Sequence, residues 1–218
     1  MSNFRFSRPD NFPPVIKNLI LINALFFLAS GFVLADKITL PGEYSILGFT
    51  GVLGLWPVTH EFFKPYQVFT HMFTHAGISH IFFNMFNLWM FGRILENVWG
   101  AKKFLTFYLI CGLGSAAAHL IVQYYTGDAH FAVGASGAVM GVMVAFAYLF
   151  PNTELMLIFF PVPIKAKWII IAMIAFDLFG GLGYTGGGNI AHWAHLGGAA
   201  VGFALCFYWN KTNKKTFY

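Results

Sequence analysis

Apolar residues run along this chain in six long blocks, roughly residues 15–34, 78–95, 104–125, 133–150, 168–179 and 190–208. Most of them approach the ~20 residues a helix needs to cross a hydrocarbon core of ~30 Å. The pattern predicts an all-α, polytopic membrane protein, a bundle of six transmembrane helices. The fifth block is the weakest, because Asp177 and the glycines after it shorten the span. The connection across residues 35–77 departs from a loop pattern. It is long, yet it carries Leu55, Trp56, Phe62, Phe63, Tyr66 and Phe69. It is predicted to be a long membrane-associated first extracellular loop, either lying at the interface with its aromatic face among lipid headgroups or packed over the bundle.

Composition supports the membrane class. Hydrophobic residues make up 58% of the 218 and charged residues only 10%, where soluble domains carry about 25% charged. The net charge of +5 does not mark a nucleic-acid-binding surface, because the basic residues sit at the ends of the apolar blocks. With both termini on the cytoplasmic side, only Lys37 and Lys64 of the thirteen Lys and Arg residues fall outside, the positive-inside pattern. The expected location is therefore a multi-pass protein of the cell (inner) membrane. One domain is expected over residues 15–209, with a cytoplasmic N-terminal segment (1–14) and a basic cytoplasmic tail (210–218). No cleavable signal peptide is read at the N-terminus. Cys111 and Cys206 fall inside apolar blocks and are expected to pack as small apolar residues rather than to form a disulfide framework.

Three polar insertions interrupt the apolar blocks: His80-Ile81-Phe82-Phe83-Asn84, Gly134-Ala135-Ser136-Gly137 and Ala194-His195-Leu196-Gly197-Gly198. Polar groups inside membrane segments are costly, and a functional site is the default reading. In the six-span topology the second, fourth and sixth helices all start from the outer face. At ~1.5 Å rise per residue His80, Ser136 and His195 then share a level in the outer half of the bilayer. His80 and Asn84, four apart, project from one helix face. Ser136 stands near a helix N-terminus, where unpaired N–H groups favour a developing anion. Gly137 and Gly141 on one helix and Gly198 and Gly202 on the other form small faces able to bring the two helices together. Each motif alone reads as helix packing or interhelical hydrogen bonding; their coincidence at one depth points to a nucleophile, a base and an oxyanion stabiliser.

These stretches, with His75 ahead of His80 and with Phe91-Gly92-Arg93-Ile94-Leu95-Glu96 followed by Trp99-Gly100, resemble the rhomboid family of intramembrane serine proteases, six-span bacterial type. The likeness runs from about Tyr66 to Gly202. It implies a Ser–His dyad: Ser136 as nucleophile and His195 as general base and acid. It also implies an oxyanion held by His80, Asn84 and the backbone N–H of Ser136. Substrates are then single-pass membrane proteins cleaved near the outer boundary; the substrate-binding residues are not assigned. Met140 stands where the family often has an aromatic residue against the imidazole. Tyr66-Gln67 replaces a Trp-Arg pair that stabilises the first loop in some members.

No cofactor and no metal are expected. His71/His75 and His192/His195 have ligand spacings, but there is no His-Glu-x-x-His string and no carboxylate is placed at their depth. Asp177 is assigned local hydrogen bonding rather than membership of a triad. His75 is expected to bond within the first loop, His119 to be a buried polar contact, and His60 and His130 to be loop residues. A hydrophilic cavity should open to the outer face. The Gly180–Gly188 connection, six of whose nine residues are glycine, is expected to be a mobile cap and the fifth helix a lateral gate. The alternatives are a non-catalytic rhomboid-like protein that binds membrane helices, and a transporter or metal-handling protein. Nothing in the sequence shows the paired acidic residues or inverted repeats the latter would need.

Overall fold

The computed structural model describes residues 9–33, 48–157, 160–183 and 189–212. Each of the six apolar blocks contains a helix. Helix α1 (Pro14–Leu28) continues through a π turn (Ala29–Val33). The short α2 (Phe49–Leu53) and α3 (Gln67–Thr70) lie in the first connection. The second block is α4 (Ile78–Asn87), a π turn (Leu88–Gly92) and α5 (Arg93–Trp99) run end to end. Then come α6 (Ala101–Thr126), α7 (Ser136–Leu149), α8 (Ala166–Gly181) and α9 (Asn189–Thr212). The fifth block therefore forms a longer helix than its 168–179 core suggested. Between α7 and α8 lies an element absent from the all-α expectation. Strand β1 (Glu154–Leu157) pairs antiparallel with β2 (Phe160–Lys165), in register Glu154↔Lys165 and Met156↔Pro163. The chain remains predominantly helical.

Helix α7 is the centre. It is apolar on every side, and all residues from Gly137 to Ala147 are buried, as expected of a helix with no polar face. Helices α6 and α9 pack closely on it and on each other. The glycine faces explain how: a Cβ on Gly202 would lie 2.7 Å from Gly141 Cα, and one on Gly198 would run into the carbonyl oxygen of Gly137. Backbone thus meets backbone, as the small-residue spacing predicted. Phe91, Phe104, Phe107, Tyr108 and Phe146 are the largest aromatic side chains buried in the core.

Helices α1 and α8 are just as apolar yet sit at the periphery. Helix α1 buries only Ile16, Leu19 and Asn23, and α8 only Ala166, Ile170, Asp177 and Gly180. Leu21, Leu25, Trp168, Ile171, Phe176 and Phe179 are exposed. An apolar exterior of this extent is the surface of a protein solvated by lipid. By length and hydropathy, Pro14–Gly31 and Ala101–Thr126 suffice to cross a membrane on their own, while α7 has only 14 residues. Glu96, buried among apolar neighbours, accepts the N–H groups of Val15 (2.9 Å) and Ile16 (2.8 Å) and so caps the start of α1.

In the first connection, Leu55 and Trp56 are buried, and Trp56 packs on His60, Phe62 and Phe131. Val58, Tyr66 and Phe69 remain exposed. The described part of this loop therefore packs on the bundle with one face and leaves apolar groups on the other. Its residues 35–47, the terminal segments 1–8 and 213–218, and residues 184–188 of the glycine-rich connection lie outside the described residues.

Candidate active site

Ser136 is the first residue of α7, and the segment before it is pinned by the first loop. Leu55 and Ala132 exchange two backbone hydrogen bonds (2.8 and 2.9 Å), and the Gly134 N–H donates to the His71 carbonyl at 2.8 Å. Gly134 has φ +117°, and a Cβ there would lie 2.6 Å from Nε2 of His80. Only glycine meets both demands. The chain therefore turns sharply and delivers Ser136 to a helix start, where its own N–H has no carbonyl partner in a preceding turn. This is also why α7 begins at residue 136 and not 133.

The α7–α9 contact carries His195 to Ser136: His195 Nε2 lies 2.8 Å from Ser136 Oγ. The opposite ring nitrogen, Nδ1, lies 3.1 Å from Oδ1 of Asp177, and His192 Nδ1 lies 2.7 Å from that same oxygen. Two expectations are corrected here. Asp177 does reach the imidazole, and a carboxylate does accompany the His192/His195 pair. The physical reason is the geometry of α8 and α9, which pack as neighbours joined by a short connection. Asp177, four residues before the end of α8, and His195, six after the start of α9, consequently meet at one level. A carboxylate accepting from Nδ1 leaves Nε2 free to accept from the Ser136 hydroxyl, the arrangement by which an imidazole activates a serine.

His80 and Asn84 face the backbone on the amino side of Ser136. The Ala76 N–H approaches His80 Nδ1 at 3.5 Å, which leaves Nε2 as the donor turned toward Gly134. Asn84 Nδ2 would lie 3.7 Å from a Cβ on Gly134; it is buried and has no hydrogen-bond partner among the described residues. Two donors therefore stand beside the loop that ends in the serine. All four side chains singled out from the motifs are brought together.

Cavities open on both sides of the Ser136–His195 pair. One, of about 270 Å³, is walled by His71, Ser115, His119, Val133 and Ala194. The other, of about 350 Å³, runs between α4, α7 and α8 and is bounded by Asn84, Asn87, Met140, Met173 and Phe176. Met140 thus shares the second cavity with His195. At the mouth of the first, burial works against ionisation of Asp128. The His130 backbone N–H and ring nonetheless hold its carboxyl below the usual carboxylate range.

The remaining residues sort plainly. His75 is buried edge-on against His80, with ring centroids 5.0 Å apart, and its polar contact within the first loop is with the Phe73 backbone. His71 donates from Nδ1 to the Gln67 carbonyl at 2.9 Å. Burial pushes both His71 and His75 down to about 4. Gln67, buried, accepts from the Lys64 and Trp56 N–H groups and donates to the carbonyls of Val52 (3.1 Å) and Phe62 (2.9 Å). It ties the first loop together without an arginine. His119 is buried in the bundle, and His60 and His130 lie in connections.

The sequence profile of the rhomboid domain matches residues 63–211. The chain is 32% identical over 192 residues to rhomboid protein 1, mitochondrial, of Saccharomyces cerevisiae, covering 79% of this chain and 54% of that protein. It is 34% identical over 131 residues to the human presenilin-associated rhomboid-like protein, mitochondrial, covering 60% of this chain and 34% of the relative. It is 35% identical over 151 residues to RHOMBOID-like protein 12, mitochondrial, of Arabidopsis thaliana, covering 62% and 44%. The chain thus spans about half or less of the length of these relatives. Their names place them in mitochondria and give no support to a cell inner membrane for this chain. On the profile match and these relatives, this chain belongs to the rhomboid family.

Proposed function

We propose that this protein is an intramembrane serine endopeptidase that cleaves single-pass membrane proteins near the outer membrane boundary. The observation that carries the reading is the 2.8 Å contact between His195 Nε2 and Ser136 Oγ, half-buried in a helical bundle and flanked by cavities. His195 takes the Ser136 proton as the hydroxyl attacks the scissile carbonyl, and the resulting imidazolium returns a proton to the leaving amine. The oxyanion is held by His80 Nε2, Asn84 Nδ2 and the Ser136 N–H at the positive end of α7. Asp177 is a positioning residue: it fixes the tautomer and orientation of His195. Water enters through the cavity beside His71 and His119 to hydrolyse the acyl-enzyme.

The topology proposed is six spans over one domain (residues 15–209), with both termini, including segments 1–14 and 210–218, on the basic side of the membrane. That side is the cytoplasm in a cell membrane and the matrix in the compartment named for the relatives. Substrate helices enter from the lipid between α4 and α8, where the cavity bounded by Asn87 and Phe176 lies. Helix α8 buries few residues, so its lateral displacement costs little packing. Cysteine pairs bridging α4 and α8 should block large membrane substrates; unchanged turnover would count against this gate.

A fluorophosphonate labelling test on the purified protein addresses the chemistry. Labelling should vanish in Ser136→Ala and drop sharply in His195→Ala. A folded wild-type protein that takes no label and cuts no membrane substrate would leave the chain as a binder of membrane helices.

A further inference from the structure

Hydrolysis requires only one of the two histidines that converge on Asp177. His192 is nonetheless held there by construction. Its ring lies over Gly180, where a Cβ would come within 2.5 Å of the ring carbon Cδ2. Phe176 packs edge-on against its other side at 5.7 Å between centroids. One ligand atom from each of Asp177, His192 and His195 lies within 4.8 Å of the others. Around a tetrahedral zinc with ~2.1 Å bonds such atoms stand about 3.4 Å apart, so the set closes with side-chain movement of little more than ~1 Å. Two imidazole nitrogens and one carboxylate oxygen suit zinc and its chemical class, not magnesium or calcium. Asp177 and His195 line the cavity between α4, α7 and α8, which has room for a water as fourth ligand.

We propose that Asp177, His192 and His195 form a reversible binding site for a zinc-class divalent cation, and that the bound ion switches the protease off; the second half rests on the Ser136–His195 reading. A neutral imidazole carries one N–H. When the ion takes the Nδ1 lone pair of His195, the proton resides on Nε2, pointing at Ser136 Oγ. Nε2 then donates to the serine and cannot accept its proton. The carboxylate that had oriented the ring is drawn to the ion as well. No oxidation and no net proton loss accompany the change when both histidines start neutral. Removal of the ion restores the tautomer that accepts from Ser136.

The test uses the full chain in detergent with an affinity tag free of histidine. Zn²⁺ titrated calorimetrically into Ser136→Ala protein should bind one ion per chain at this cluster. Adding His192→Gln should weaken that binding by about tenfold or more, whereas His130→Gln, at the separate Asp128–His130 contact, should not. In wild-type protein Zn²⁺ should suppress turnover, EDTA should restore it, and Mg²⁺ should do nothing. His192→Gln should raise the half-inhibiting Zn²⁺ concentration by a similar factor relative to its own zinc-free rate. Absence of binding to Ser136→Ala, or binding that survives both His192→Gln and Asp177→Asn, overturns the site. Zinc bound at the cluster of a wild-type protein that hydrolyses nothing keeps the site and removes the protease reading. Hydrolysis with no zinc binding does the reverse.

Discussion

Asp177 in α8 and His195 in α9 share a 3.1 Å hydrogen bond, so the imidazole that touches Ser136 is oriented from a helix that belongs to none of the three motifs. Asp177→Asn preserves the shape but offers an amide that can turn either its oxygen or its NH₂ toward Nδ1. Turnover should fall by about 10²-fold, within the ~10⁴ that misplacing a tautomer costs in a serine protease. The Michaelis constant for a fluorogenic membrane substrate should hardly move, and Asp177→Glu should recover part of the rate. A lower melting temperature with an unchanged kcat would assign Asp177 a structural role instead.

Asn84 offers a cleaner test of anion stabilisation than His80, because its Nδ2 is buried without a partner among the described residues. An unpaired buried donor is tolerable when the reaction supplies an acceptor. Asn84→Ala should reduce kcat by about 10²–10³-fold, the usual loss for one oxyanion donor. Because that donor has no partner to lose among the described residues, thermal stability should fall little or even rise. A large loss of stability together with full activity would remove it from the oxyanion site.

Gly198 decides whether Ser136 and His195 meet at all. A Cβ at Gly198 would press into the Gly137 carbonyl, which belongs to backbone and cannot rotate away. Gly198→Ala should therefore spread α7 from α9 and lengthen the 2.8 Å Ser136–His195 contact. Fluorophosphonate labelling should slow by at least tenfold (about 1.4 kcal/mol of barrier), while the protein stays folded. Gly31→Ala, in the turn after α1 where a Cβ meets nothing within 4 Å, is the matched control and should label normally.

The six apolar blocks, and the meeting of His80, Asn84, Ser136 and His195, were legible because each rests on a local rule: hydropathy length, i,i+4 projection, small residues at four-residue spacing. Asp177 was visible as a charge in an apolar block but was not tied to His195. The pairing depends on counting back from the end of α8 and forward from the start of α9, and the boundary of α8 was the one the sequence defined worst. The β1–β2 hairpin was missed for a different reason. Strands of four and six residues, the second interrupted by Pro161 and Pro163, give no alternating pattern to read. The bond from Gly134 to His71 joins residues 63 positions apart, and no local rule reports such a contact.

His71 and His75 make the stability of the first loop depend on pH. Both are buried neutral, and burial pushes each from its ordinary value of 6.5 to about 4. The unfolded chain therefore binds more protons than the folded one between about pH 6.5 and 4, and stability rises with pH across that window. The contribution is fully present above pH 6.5 and is lost as pH falls toward 4, at most ~3 kcal/mol for His71 alone. The loss should reach the active site, because the His71 carbonyl receives the Gly134 N–H and so helps set the turn before Ser136. Melting temperatures taken between pH 7.5 and 4.5 should decline with acidity, and His71→Gln should flatten the decline. A wild-type protein whose melting temperature is constant over that range would show that these two histidines are not held neutral by burial.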